Sequence, residues 1–194
     1  MAVLLFDPFL LCLANCFLMA DFGNCLKPKF IAMIKQELFI KMAMDIWQLQ
    51  LNAFNSLLDK LSDDQLMEEV APGRNRGIYL LGHLTAVHDL IFPLLRLGDS
   101  LYPELKPAFI DAPDKTIGDL PPAKQLRIQW KTVNDKLMDH FNALSADEWF
   151  SRHGSISEED FKKEPHRNRL NVLLSRTNHL SNHRGQFTFL IKKA

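Results

Sequence analysis

Leu126-Arg127-Ile128-Gln129-Trp130-Lys131-Thr132-Val133-Asn134-Asp135-Lys136-Leu137-Met138-Asp139-His140-Phe141 decides the fold. Leu126, Trp130, Val133, Leu137, Phe141 and then Leu144 step by three or four residues, the stripe of a helix that buries one face. Pro121 or Pro122 opens it, because a first helical turn tolerates a residue without an N–H. Three further segments read the same way. Upstream, Ile34 to Leu61 carries Leu38, Met42, Ile46, Leu49, Ala53, Leu57 and Leu61, a stripe expected to face the core. After the break at Pro72-Gly73, a segment from Asn75 to Leu97 turns Leu80, Leu84, Val87, Ile91 and Leu94 inward. Gly98 stops it, and Pro93 marks a kink or an earlier end. Downstream, Asn168 is an N-cap for a helix carrying Leu170, Leu173, Leu174, Thr177, Leu180, Phe187 and Ile191. Residues 99 to 119 hold Pro103, Pro107, Pro113 and Gly118 without a period, as a long loop of the lid kind does. Residues 145 to 166 are polar and irregular. No stretch alternates as a strand would, so the expected fold is all-α, a four-helix bundle with two long connections, 98–120 and 145–167.

The 194 residues suit one domain, and Lys plus Arg equal Asp plus Glu at 23 each. A net charge of zero without a basic run speaks against nucleic acid as a partner. Cys12, Cys16 and Cys25 are all the cysteines, and none lies further along. That usage fits a reducing, cytoplasmic compartment rather than a disulfide scaffold. Residues 2 to 20 are almost wholly apolar, interrupted by Asp7, Pro8 and Asn15. No Lys or Arg precedes Lys27, unlike a secretory signal, and a carboxylate and a proline interrupt any spanning helix. Residues 1–32 are therefore expected to be an extension outside the fold, an over-long start with Met33, Met42 or Met44 as the true one. A membrane anchor is the rival reading. Residues 33–194 are the domain.

The chemistry lies in the histidines. His179 and His183, four residues apart, share a helix face about 6 Å apart along the axis. Gly82-His83-Leu84, in the second helix, offers a third nitrogen from a neighbouring element. A lone core histidine usually finds a backbone or side-chain partner, but several imidazoles inside one bundle are most often there for a cation. Three neutral histidines leave a coordination position open, as catalytic metal sites do. Zinc proteases with histidines at this spacing place a glutamate after the first, where this chain has Leu180, so that reading is rejected. His88 points some 140° from His83 on an ideal helix and reads as a packing or surface histidine. His140 suits the end of the third helix, and His153 and His166 fall in loops facing solvent. Cys12 and Cys16 lack a partner histidine and read as small buried residues.

Asn75-Arg76-Gly77-Ile78-Tyr79-Leu80-Leu81-Gly82-His83-Leu84, followed by His179-Leu180-Ser181-Asn182-His183-Arg184-Gly185-Gln186, resembles the DinB-like (DinB/YfiT) superfamily of metal-binding four-helix bundles. The resemblance covers about Met33 to Ala194. It implies a metal triad of His83, His179 and His183, usually for zinc, nickel or another divalent ion. It implies no counterpart for residues 1–32, and it makes a homodimer the default. Some relatives are thiol-dependent enzymes, such as bacillithiol transferases and mycothiol-dependent maleylpyruvate isomerases, so a low-molecular-weight thiol joins the expected cofactors.

Around that triad, Arg184 is placed to bind a carboxylate of substrate or cosubstrate and Gln186 to support a ligand. The bland alternatives are a solvent-exposed Arg184 and a Gln186 that caps backbone. Tyr79, one turn before His83, either donates into the site or packs, with packing favoured. Asp89 is a further candidate for orienting a ligand. Three function classes follow: a metal-dependent thiol S-transferase or hydrolase acting on a small molecule, a non-catalytic metal-binding stress-response or regulatory bundle, and a plain bundle that binds no metal. No membrane partner is expected unless residues 1–32 anchor the chain.

Overall fold

The third long segment folds as its stripe requires. In the computed structural model, which describes residues 23–116 and 118–192 and side chains from Lys35 onward, it is the helix Ala123–Ala143, capped by Pro122. Leu126, Trp130, Val133, Leu137 and Phe141 are all buried. In chain order the helices are α1 (Gly23–Leu58), α2 (Asp63–Leu66), α3 (Gly77–Asp89), α4 (Ile91–Leu94) and α5 (Leu105–Phe109). They continue with α6 (Ala123–Ala143), α7 (Ala146–Trp149), α8 (Glu158–Lys163), α9 (Arg169–Phe187) and a closing 3-10 turn Thr188–Leu190. Among the described residues there is no strand, only isolated bridges Glu69–Arg76 and Arg152–Asn168.

The chain divides into a unit ending at Phe39 and a unit from Ile40 onward. The second is an all-α bundle of α1 (from Ile40), α3, α6 and α9. α3 packs on α6, α5 and α9 and is buried at nearly every position. The span Gly77–Leu94, covering α3 and α4, is apolar and long enough to cross a membrane, yet 78% of it is buried in the protein, as befits central core elements. One half of the core gathers Phe54, Leu84, Phe109, Trp130 and Phe187. The other gathers Trp47, Phe92, Phe141, Trp149 and Leu173. Phe54 meets both Trp130 and Phe187 edge-on, with ring centroids 5.1 and 4.9 Å away.

Three expectations change. On α1 the core takes the other face: Ala43, Trp47, Leu51, Phe54 and Leu58 are buried, while Leu38, Met42, Ile46 and Leu49 are exposed. Of the expected stripe, Leu61, just past the helix, is buried, and Ala53 and Leu57 are half-buried. Both faces of this helix are apolar, and the one with Trp47 and Phe54 buries more area, so it wins the interior. The second helix ends at Asp89, and Pro93 falls in the separate turn α4. The connections are not bare loops either, since they contain α5, α7 and α8. α7 and α8 begin at serines whose side chains accept from a backbone N–H three residues on, worth about 1 kcal/mol each. The readings of residues 1–22, including Cys12 and Cys16, lie outside the described residues.

Candidate metal centre

α9 starts where Asn168 caps it, the side-chain oxygen accepting from the Asn171 N–H at 2.9 Å. With Leu170, Leu173, Thr177, Leu180 and Phe187 in the core, helical periodicity leaves His179 and His183 on the flank beside α3. There they meet His83. One ring nitrogen from each lies within 4.8 Å of the others, and all three side chains are half-buried. His83 Nε2 is 3.3 Å from His179 Nε2, and His183 Nε2 is 3.1 Å from it.

The outer nitrogens fix the chemistry of the inner ones. His83 Nδ1–H donates to the Phe109 carbonyl at 2.7 Å. A carbonyl only accepts, so the hydrogen is on Nδ1 and Nε2 presents a bare lone pair. His183 Nδ1–H donates to Gln186 Oε1 at 2.9 Å, with the same result. Both lone pairs aim at His179 Nε2, which has at most one hydrogen to give and therefore satisfies at most one of them. His179 Nδ1 is buried without a partner. At least one of these approaches is thus lone pair on lone pair, an arrangement that a cation resolves. A tetrahedral ion with bonds of about 2.0–2.1 Å to nitrogen sets its ligands about 3.3 Å apart, close to the two spacings that His179 makes.

Electrostatics keep the rings ready as ligands. Burial, then the neighbouring His183, His83 and Arg176, pull His179 down to about 4. Burial also lowers His183, with the Gln186 hydrogen bond opposing it and His83 adding to it. Both rings are neutral at neutral pH, so metal uptake displaces no proton from them.

His83 is held by the connection between α4 and α6. A Cβ on Gly82 would lie 2.2 Å from the Phe109 ring, so only glycine lets that ring lie on α3 while its carbonyl reaches His83. The connection is tied down at several points. Leu101 and Tyr102 N–H groups donate to the Asp89 carboxylate at 2.8 and 2.9 Å. The Tyr79 hydroxyl donates to the Ala112 carbonyl at 2.7 Å, and Arg76 pairs with the nearly buried Asp114 at 2.7 Å. Asp89 is therefore engaged in holding this segment, which corrects its expected place beside the ligands. Tyr79 packs over His83, ring centroids 6.3 Å apart, and sends its hydroxyl elsewhere. Phe109 is the contact that sequence reading missed. Its only trace was Gly82, a glycine in a helix interior that costs about 1 kcal/mol and so needs a packing reason.

The other candidates separate cleanly. Gln186 touches His183, whereas Arg184 is half-buried and has no hydrogen-bond or ion-pair partner among the described residues. His88 is fully buried, sandwiched between Trp47 and Trp130 with centroids 4.8 Å from each. Its Nδ1–H donates to Asn134 Oδ1 at 2.7 Å. His140 and His166 are exposed and His153 is half-buried. A cleft of about 750 Å³ between α1 and α6, lined by Gln48, Asn55, Arg127 and Asp135 among others, includes none of the triad.

A comparison with curated proteins gives no match. The family described as the DinB superfamily matches residues 46–187, from within α1 to the end of α9, and that span holds all three histidines. The chain belongs to the DinB superfamily.

Proposed function

We propose that this protein binds one divalent ion at His83, His179 and His183 and works as a metal-dependent enzyme of the thiol S-transferase or hydrolase type. The observation that supports this most is the convergence of three Nε2 atoms whose outer nitrogens already hold hydrogen-bonding roles. An all-imidazole set with these spacings suits zinc first and nickel next. A bound divalent ion supplies Lewis acidity, stabilising an anionic oxygen or sulfur near neutral pH. The chain does the rest: the Phe109 carbonyl and Gln186 orient two rings, and burial keeps His179 and His183 neutral. Half-burial of all three rings, rather than full burial, supports an enzyme over a sealed structural site. A thiol cosubstrate, a cytoplasmic setting and a homodimer complete the proposal.

Elemental analysis of untagged protein tests it, beside His83→Ala and His183→Ala. About one zinc or nickel per chain, lost in both variants, is the expected result, and thiol-transfer and hydrolysis screens then follow. No metal in any sample, even after incubation with zinc or nickel, would leave a plain bundle with buried histidines. Stoichiometric metal with no turnover of any thiol or ester substrate would favour the non-catalytic, regulatory alternative.

A further inference from the structure

Arg176 is on α9, one turn before His179. On an ideal helix Arg176, His179 and His183 fall within about 60° of one another, so they share one flank. Arg176 is half-buried and has no hydrogen bond or ion pair with any described residue. Its Nε atom is completely buried and unpartnered. A buried guanidinium hydrogen without an acceptor costs about 1–3 kcal/mol, more for a charged group. The same burial works against the cation and lowers its pKa from the ordinary arginine value.

Two surroundings give that unpaired charge a direction. On one side it lines a cleft of about 390 Å³ with Leu90, Pro93, Leu94, Gly154 and Ser155, and no other charged side chain lines that cleft. On the other side α9 sets it one turn from His179, on the flank that carries His179 and His183. None of the hydrogen bonds made by the three rings is to a carboxylate. Histidines are neutral donors, so a divalent ion among them adds positive charge that no carboxylate bonded to the rings offsets. A planar fork of N–H donors with an empty acceptor side matches a carboxylate. A single guanidinium, rather than a cluster of cations, suits one monoanionic group.

We propose that Arg176 binds a carboxylate on the small molecule whose reacting end lies at the histidine triad, making the substrate or thiol cosubstrate of this protein a carboxylic acid. This rests on the metal reading above and assigns to Arg176 the role that the sequence suggested for Arg184. The guanidinium then gains its missing acceptor when substrate arrives, and the anion is placed one helical turn from His179.

Cobalt-loaded protein provides the test, because thiol binding is followed through the cobalt absorption spectrum without any turnover. Mercaptoacetate and 2-mercaptoethanol are titrated against wild type, Arg176→Gln, Arg176→Lys and Arg184→Gln. In wild type the anionic thiol binds about tenfold or more tightly than the neutral one, as a charge-assisted pair implies. Arg176→Gln brings the two thiols to parity by weakening mercaptoacetate alone, and Arg176→Lys keeps part of the preference. Equal affinities in wild type would overturn the inference and leave the metal site standing. So would a preference that survives Arg176→Gln or disappears only in Arg184→Gln. Protein that takes up no cobalt overturns the metal reading, and this inference with it.

Discussion

Gln186 and His88 illustrate how one side chain sets the behaviour of another. Gln186 Oε1 accepts from His183 Nδ1–H at 2.9 Å and so points the His183 Nε2 lone pair at the triad. Removing such an outer partner commonly costs 10–100-fold in metal affinity. We therefore expect Gln186→Leu to fold and to bind zinc about 10–100-fold more weakly in a chelator competition, while His183→Ala binds none. Unchanged affinity in Gln186→Leu would mean that His183 needs no orienting partner. His88 hydrogen-bonds Asn134 rather than the triad, and it contributes to the response to acid. Burial between two indoles pushes it down to about 3, against the pull of its Asn134 hydrogen bond. The unfolded chain protonates this ring near pH 6.5, whereas the folded chain resists until about 3. The unfolded state thus binds more protons inside that window. The contribution is full above 6.5 and is lost as pH falls from there toward 3, by about 1.4 kcal/mol per pH unit at most. Metal-free His88→Gln should show a shallower fall of melting temperature between pH 6.5 and 4.5 than metal-free wild type. Parallel curves would assign the acid response to other groups.

Between elements, the connection from α4 to α6 is as much a part of the site as the helices. Gly82→Ala drives a methyl into the Phe109 ring, whose nearest atom would be 2.2 Å away. Overpacking of this kind costs about 1–3 kcal/mol, and moving Phe109 also withdraws the carbonyl that holds His83. Gly82→Ala should therefore lower both the melting temperature and the zinc affinity. Gly185 has nothing near a new Cβ and lies between His183 and Gln186 in a helix. Gly185→Ala should raise stability by about 0.4–1 kcal/mol and leave zinc affinity unchanged. If both variants behave alike, the Phe109 contact is not what positions His83. This contrast also separates what the chain's pattern discloses from what it hides. Helical period made α6 and α9 readable residue by residue, from Leu126 to Phe141 and from Leu170 to Phe187, and placed His179 beside His183. On α1 the period was equally clear, but it occurs on two faces. The choice between Met42-Ile46-Leu49 and Ala43-Trp47-Leu51 depends on partners more than seventy residues away, such as Trp130, whose indole N–H donates to Asn55 at 2.8 Å. Phe109 and Arg176 were invisible for the same reason. Their roles depend on which helix lies beside them, and no local spacing records that.

At the scale of the whole molecule, the face that α1 does not bury remains to be accounted for. Met42, Ile46 and Leu49 are 53%, 47% and 63% exposed. They follow one another at intervals of four and three, the spacing of a seam that pairs with another helix. Isolated apolar residues on a surface need no explanation, but a contiguous row on one helix marks an interaction site. For the proposed homodimer the simplest occupant is the same row on a second copy, since a twofold interface brings one patch onto itself. Ile46 is the middle of the row and contributes nothing to the core, so its replacement separates assembly from folding. Ile46→Glu places two carboxylates face to face at the centre of such an interface. It should convert a dimer to a monomer in sedimentation velocity at about 10–50 μM, a range in which a standard-sized interface is normally filled, while the helical circular dichroism stays at the wild-type level. Trp47→Ala, on the opposite face of the same helix, should instead cost about 3–5 kcal/mol of stability through a core cavity. A wild-type protein that sediments as a monomer, or an Ile46→Glu variant that remains dimeric, would move the interface off this row and leave the exposed face to a different partner.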